Sequence, residues 1–244
     1  MSRPNVLIVP DMSELEWRNR PLIEEWAEVA SFDAPGVGDE PPPRDFSIEP
    51  VVERGLAELE RQGWERFVVV ADEFATPTAI RLAAEVRDRV EGLVLGHACL
   101  ELTTEGARPS LSAEVTAAFM QVARTDFRSY VRAMTQLTQG AYDDELAEQY
   151  MTRLSPEIAV GYLEARLSGE HLEQPLRDLD LPILLAEHRG CLMFTREGYD
   201  DAVAALPHAE TVSYEQKPSV SHEFAADLRE FCARVRVGEP ADAG

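Results

Sequence analysis

Short apolar runs alternate with amphipathic stretches along most of the chain. Residues 5–9 (NVLIV) predict a fully buried strand, ended by Pro10 and Asp11. Residues 21–30 carry helical spacing, with Pro21 in the first turn and Leu22, Trp26 and Val29 on one face. A strand over 29–32 overlaps the end of that helix, and a helix beginning at Ser47 or Glu49 runs through Gln62. Residues 67–70 (FVVV) form a second fully apolar run, followed by a tight turn and a helix to Arg87; a further strand covers 90–96.

From Glu101 to Arg177 the period changes to helix after helix, chiefly 113–137, 145–154 and 157–167, broken by Gly140 and Pro156. Sheet spacing returns at 181–186 (LPILLA), with a helix over 197–206, a strand over 210–214 and an amphipathic helix over 222–235. The pattern predicts an α/β fold with a mostly parallel, doubly wound sheet. Its core comprises residues 1–100 and 178–237, with a helical cap over 101–177 and a disordered tail over 238–244.

The 244 residues suffice for one large domain with a full core, and no composition break asks for another. Acidic residues outnumber basic ones 45 to 23, for a formal charge of −22. That field repels nucleic acid and anionic membranes and favours neutral or cationic ligands. No apolar run reaches the length of a membrane span, and the N-terminus lacks the pattern of a secretory signal, so a cytoplasmic location is expected. The three cysteines, Cys99, Cys191 and Cys232, read as reduced thiols, and no His/Cys/carboxylate cluster has zinc spacing in the sequence.

Candidate chemistry centres on residues 66–83 (RFVVVADEFATPTAIRLA), where a buried strand turns straight into a helix. Glu73 stands at the apex, with Ala71 and Ala75 two positions away on either side. With the strand ending in Pro10-Asp11, Trp17 shortly after it, the Asp33-Ala-Pro-Gly-Val-Gly loop, the strand GLVLG, the helical cap and LPILLA, this turn resembles the α/β-hydrolase superfamily over nearly the whole chain. Small-x-nucleophile-x-small is that family's elbow. The resemblance implies oxyanion donors at the backbone N–H groups of Met12 and Phe74. It places Glu73 at the serine position, Cys191 at the acid and Ser219 at the histidine, with His222 three residues further on. A Ser-His-Asp mechanism therefore has no nucleophile here.

Three roles remain open for Glu73: acid or base in a cyclisation, elimination, isomerisation or lyase step; carboxylate nucleophile, as in epoxide hydrolases and dehalogenases; or none, on a non-catalytic ligand-binding protein. His97 and His222 are its candidate partners. Asp11, Trp17, Cys191, Phe119 and Tyr130 are candidate substrate contacts, while His188 and Arg189 read as solvated rim residues. The aromatic and Met side chains of the cap imply an apolar small-molecule ligand. The turn lacks the glycines of a phosphate cradle, so no nucleotide is expected; without zinc spacing no metal is expected, and no other cofactor is. Nucleic acid and membrane are not expected as partners, and a homodimer is compatible with the sequence.

Overall fold

The computed structural model describes residues 3–10, 16–105, 109–139, 144–167 and 172–237. The expected oxyanion loop at Asp11 and Met12, and the tail, lie outside them. Among the described residues, six strands form one parallel sheet: β1 (Asn5–Ile8), β2 (Glu28–Ser31), β3 (Phe67–Asp72), β4 (Val90–Gly96), β5 (Ile183–His188) and β6 (Glu210–Tyr214). Their spatial order is β2-β1-β3-β4-β5-β6. The order reverses between β1 and β3, and ligands of open α/β sheets bind outside the carboxyl ends of strands at such a point.

The strands alternate their side chains between two apolar layers, as period-two geometry requires. Val6, Ile8, Val68, Val70, Val94 and Leu184 pack with α1 (Arg20–Glu24) and α10 (His222–Val237). Leu7, Val69, Leu93 and Leu185 face α2 (Glu49–Gln62), α3 (Thr76–Glu85) and α9 (Arg196–Ala205). Between β4 and β5 come α4 (Ala113–Thr125), α5 (Phe127–Gln139), α6 (Asp144–Arg153), α7 (Pro156–Leu167) and α8 (Glu173–Asp178).

Three elements differ from the sequence expectation. The helix expected over 21–30 stops at Glu24, because Glu28 pairs with Asn5 at the start of β2. The long helix expected over 113–137 breaks at Asp126, whose carboxylate accepts from the Ser129 N–H at 3.1 Å and so starts α5. The strand expected over 181–186 begins after Pro182, which has no N–H to give the ladder, and ends at His188.

The helical insertion is clamped to the Asp33–Gly38 loop. Arg153 pairs with Asp33, the Gly38 N–H donates to Arg153 O at 2.8 Å, and the Tyr162 hydroxyl donates to Pro35 O at 2.9 Å. Gly36 has φ +83°, and a Cβ there would stand 2.6 Å from Ile158 Cδ1 on α7. Both the left-handed backbone and the contact exclude a side chain. Gly36→Ala is accordingly expected to cost about 2–4 kcal/mol and to free the insertion. Urea denaturation and limited proteolysis check this, with new cuts within α6 and α7 as the expected sign.

Candidate active site

Because the sheet is parallel, the residues after β3, β4, β5 and β6 gather at one edge. Glu73 follows β3 directly and opens a single 3₁₀ turn, Glu73–Ala75, that leads into α3. Its φ is +47°, a conformation that costs a non-glycine residue about 1–2 kcal/mol. Ala71 and Ala75 are buried on either side. The Thr76 hydroxyl donates to Glu73 O at 2.8 Å and holds the turn shut. Gly96 on β4 makes room for the neighbouring Asp72, since a Cβ there would lie 2.2 Å from Asp72 Oδ1.

The Glu73 side chain points into the interior and meets a cation that the sequence reading passed over. Lys217 Nζ stands 3.1 Å from Glu73 Oε2 and 3.8 Å from Asp72 Oδ2. Lys217 is only 2% exposed and Glu73 7%. The loop that delivers Lys217 follows β6 and is fixed from behind: the Asn19 amide donates to Pro218 O at 2.7 Å and to Ser221 O at 2.8 Å. Val220 and Ser221 N–H close a turn onto Lys217 O at 3.0 and 3.1 Å.

On the opposite side of the carboxylate, the Cys191 thiol donates to Glu73 Oε1 at 3.5 Å, and His188 Nδ1 stands 3.8 Å from the same oxygen. Burial works against ionisation of Glu73. The Lys217 charge, with a smaller contribution from the His188 ring, outweighs it and holds the carboxyl down at about 2. Burial and the Glu73 charge push the Cys191 thiol well above its ordinary value, so Cys191 stays protonated.

His188 is thus not a solvated rim residue: as the last residue of β5 it turns its ring to the site. Arg189, the next residue, does face outward and pairs with Glu215 at 2.7 Å.

Of the two expected partners of Glu73, His222 lies elsewhere and His97 stands within electrostatic reach of the carboxylate. His222 is exposed at the start of α10, in a groove with Leu22 and Trp26, because the helix begins there and turns it outward. His97 is buried beyond β4 with φ +44°; its Nε2 contacts Thr195 O at 3.3 Å, and among the described residues Nδ1 has no hydrogen-bond partner. Burial lowers its pKa, keeping the ring neutral. Trp17 packs edge-on against Phe224 at 5.7 Å in the layer under α10.

Phe74 packs on Phe194 at 4.9 Å. With Phe119, Met120, Tyr130 and Leu163 it lines an apolar cavity of about 10 Å³, the space of roughly one water.

One sequence signal could have found Lys217. It is the only lysine in the chain, set against 22 arginines, in the loop where the resemblance puts a histidine. A cation chosen once, in that loop, is unlike the arginine-rich surface. The spacing His188-x-x-Cys191 was likewise a signal for ligand chemistry, contrary to the expectation that no such cluster exists.

No protein-family model and no curated protein matches the chain. Solved structures resemble it over nearly its whole length. A bromoperoxidase from Bacillus anthracis superposes with a TM-score of 0.78 at 15% identity, covering 95% of this chain and 92% of that one. A hydrolase from Oleispira antarctica gives 0.76 at 14% identity, covering 96% and 92%. An enol-lactonase from Burkholderia xenovorans gives 0.75 at 15% identity, with the same coverage. At these identities the likeness concerns the fold.

Proposed function

We propose that this chain, which has the α/β-hydrolase fold, is an enzyme that acts on a neutral apolar small molecule through the Glu73–Lys217 pair, without a Ser-His-Asp triad. The observation that carries the reading is the buried 3.1 Å contact between the chain's one lysine and a carboxylate held at a strained elbow. Strained apex positions persist where the surrounding structure enforces them, and they cluster at working sites.

The charges support a division of roles. With its carboxyl held at about 2, Glu73 is an anion at neutral pH and has no proton to give. The carboxylate therefore acts as base, and the Lys217 ammonium donates to oxygen that becomes negative in the transition state. A substrate oxygen that takes the ammonium from Glu73 removes the partner that depresses its basicity, so binding itself raises the base toward working strength. Proton transfer of this kind suits an elimination, isomerisation, cyclisation or lyase step. The helices after β4 would serve as the cap over that substrate.

Glu73 as carboxylate nucleophile is the second reading. It is favoured by the same low pKa, since a nucleophilic carboxylate need only be ionised. Turnover in ¹⁸O water separates the two: isotope enters the Glu73 carboxylate only if an ester of Glu73 is hydrolysed.

The test is a panel of neutral esters, lactones, epoxides and unsaturated ketones, with products read by mass spectrometry. Turnover is expected to fall by at least about 100-fold in Glu73→Gln, and a fluorophosphonate probe should leave the protein unlabelled. Undiminished turnover in Glu73→Gln, or stoichiometric labelling, overturns the proposal. Binding without turnover of any panel member moves the case to a non-catalytic ligand-binding protein.

A further inference from the structure

Glu73, His188 and Cys191 bring a carboxylate oxygen, an imidazole nitrogen and a sulfur within 4.8 Å of one another. Cys191 Sγ lies 3.5 Å and His188 Nδ1 3.8 Å from the same oxygen, Glu73 Oε1. Tetrahedral zinc, with Zn–S of about 2.3 Å and Zn–N and Zn–O of about 2.0–2.2 Å, sets its ligand atoms about 3.3–3.6 Å apart. The sulfur–oxygen distance already meets this value. The nitrogen lies 3.8 Å from that oxygen and within 4.8 Å of the sulfur, so binding has to draw the imidazole toward both.

The surroundings support ligation at each of the three atoms. His188 Nδ1 is buried and has no hydrogen-bond partner among the described residues; with its proton on Nε2 the ring presents a lone pair to the site. The Phe194 N–H donates to Cys191 Sγ at 3.4 Å, which favours sulfur in its anionic form. Lys217 pairs with the other oxygen of Glu73, Oε2, fixing the carboxylate plane with Oε1 toward the sulfur and the ring. The ammonium repels a second cation, but the Glu73 and Asp72 carboxylates and the Cys191 thiolate together answer the ammonium and both charges of a divalent ion.

We propose that Glu73, His188 and Cys191 form a three-ligand site for a divalent cation of the zinc class, with the fourth position open to water or a substrate oxygen. On loading, the Cys191 S–H bond is replaced by a sulfur–metal bond and the proton passes to solvent. Oε2 of Glu73 keeps Lys217, so the ion pair and the metal coexist. The site goes beyond the proposed function and does not depend on it, since its readout needs no substrate.

The experiment titrates chelator-stripped protein with cobalt(II), then displaces cobalt with zinc. One equivalent should bind, giving the strong visible absorption of four-coordinate cobalt and a near-ultraviolet thiolate-to-cobalt band. Cys191→Ser should lose that band and weaken zinc at least tenfold, with the same weakening in His188→Gln. Cys232→Ala, remote on α10, should change neither. Absence of the thiolate band in folded wild type, or its survival in Cys191→Ser, overturns the assignment. Circular dichroism establishes that each variant is folded. If Cys191→Ser is not, unaltered zinc affinity in folded His188→Gln still refutes the site.

Discussion

Replacing Lys217 by methionine is expected to destabilise the protein by about 3–5 kcal/mol, far more than the loss of a surface charge. The substitution keeps the length of the side chain and leaves the Glu73 carboxylate buried, with the cation facing Oε2 gone. An uncompensated buried charge is what makes breaking such a pair so costly. For a chain of this size the loss corresponds to roughly 6–20 °C in melting temperature. Adding Glu73→Gln should recover part of it, because the double variant no longer buries the Glu73 charge, while Asp72, 3.8 Å from Lys217, still loses that cation. The double-mutant cycle by urea denaturation measures this directly. A single-variant loss below about 1 kcal/mol would show that the pair does not exist as described.

The second large effect is a loss of stability in acid. Glu73 has its ordinary value near 4.5 in the unfolded chain and about 2 when folded. A depressed carboxyl stabilises the folded state fully above the unfolded value, and the contribution disappears as pH falls from about 4.5 through 2. A gap of that width amounts to on the order of 3 kcal/mol. Other carboxylates titrate in the same range, so the comparison is with the Glu73→Gln/Lys217→Met double variant. Wild type should lose that much more stability than the double variant between pH 5 and 2, measured by urea midpoints at each pH. Parallel profiles for the two proteins would mean that Glu73 is not held ionised by Lys217.

The central strands were legible because they are buried on both faces and read as near-continuous apolar runs, as in residues 67–70 and 90–96; the part-exposed edge strand over 210–214 also has the expected bounds. The elbow was legible as well, since Ala71 and Ala75 leave a distinctive local spacing around Glu73. Partners were harder. Glu73 meets Lys217, His188 and Cys191 across three loops, and no local pattern states such a meeting.

Alignment by resemblance landed on Ser219 and reached forward to His222. The cation that pairs with Glu73 lies two residues back from Ser219. A lysine in a polar loop reads as solvated by default. Its burial here depends on Asn19, some two hundred positions away, which holds the loop by two carbonyls. The break at Asp126 was hidden for a similar reason: apolar spacing continues through it, and only the cap geometry reveals the end of one helix and the start of another.

A chain with a single lysine offers an unusual vantage on its own interior. Lysine labelled with ¹⁵N or ¹³C and supplied during expression enters the folded protein at one place only, the ε-carbon and ε-nitrogen beside Glu73. Any molecule that reaches Glu73 then shifts one isolated resonance, which needs no assignment and has no background from the surface.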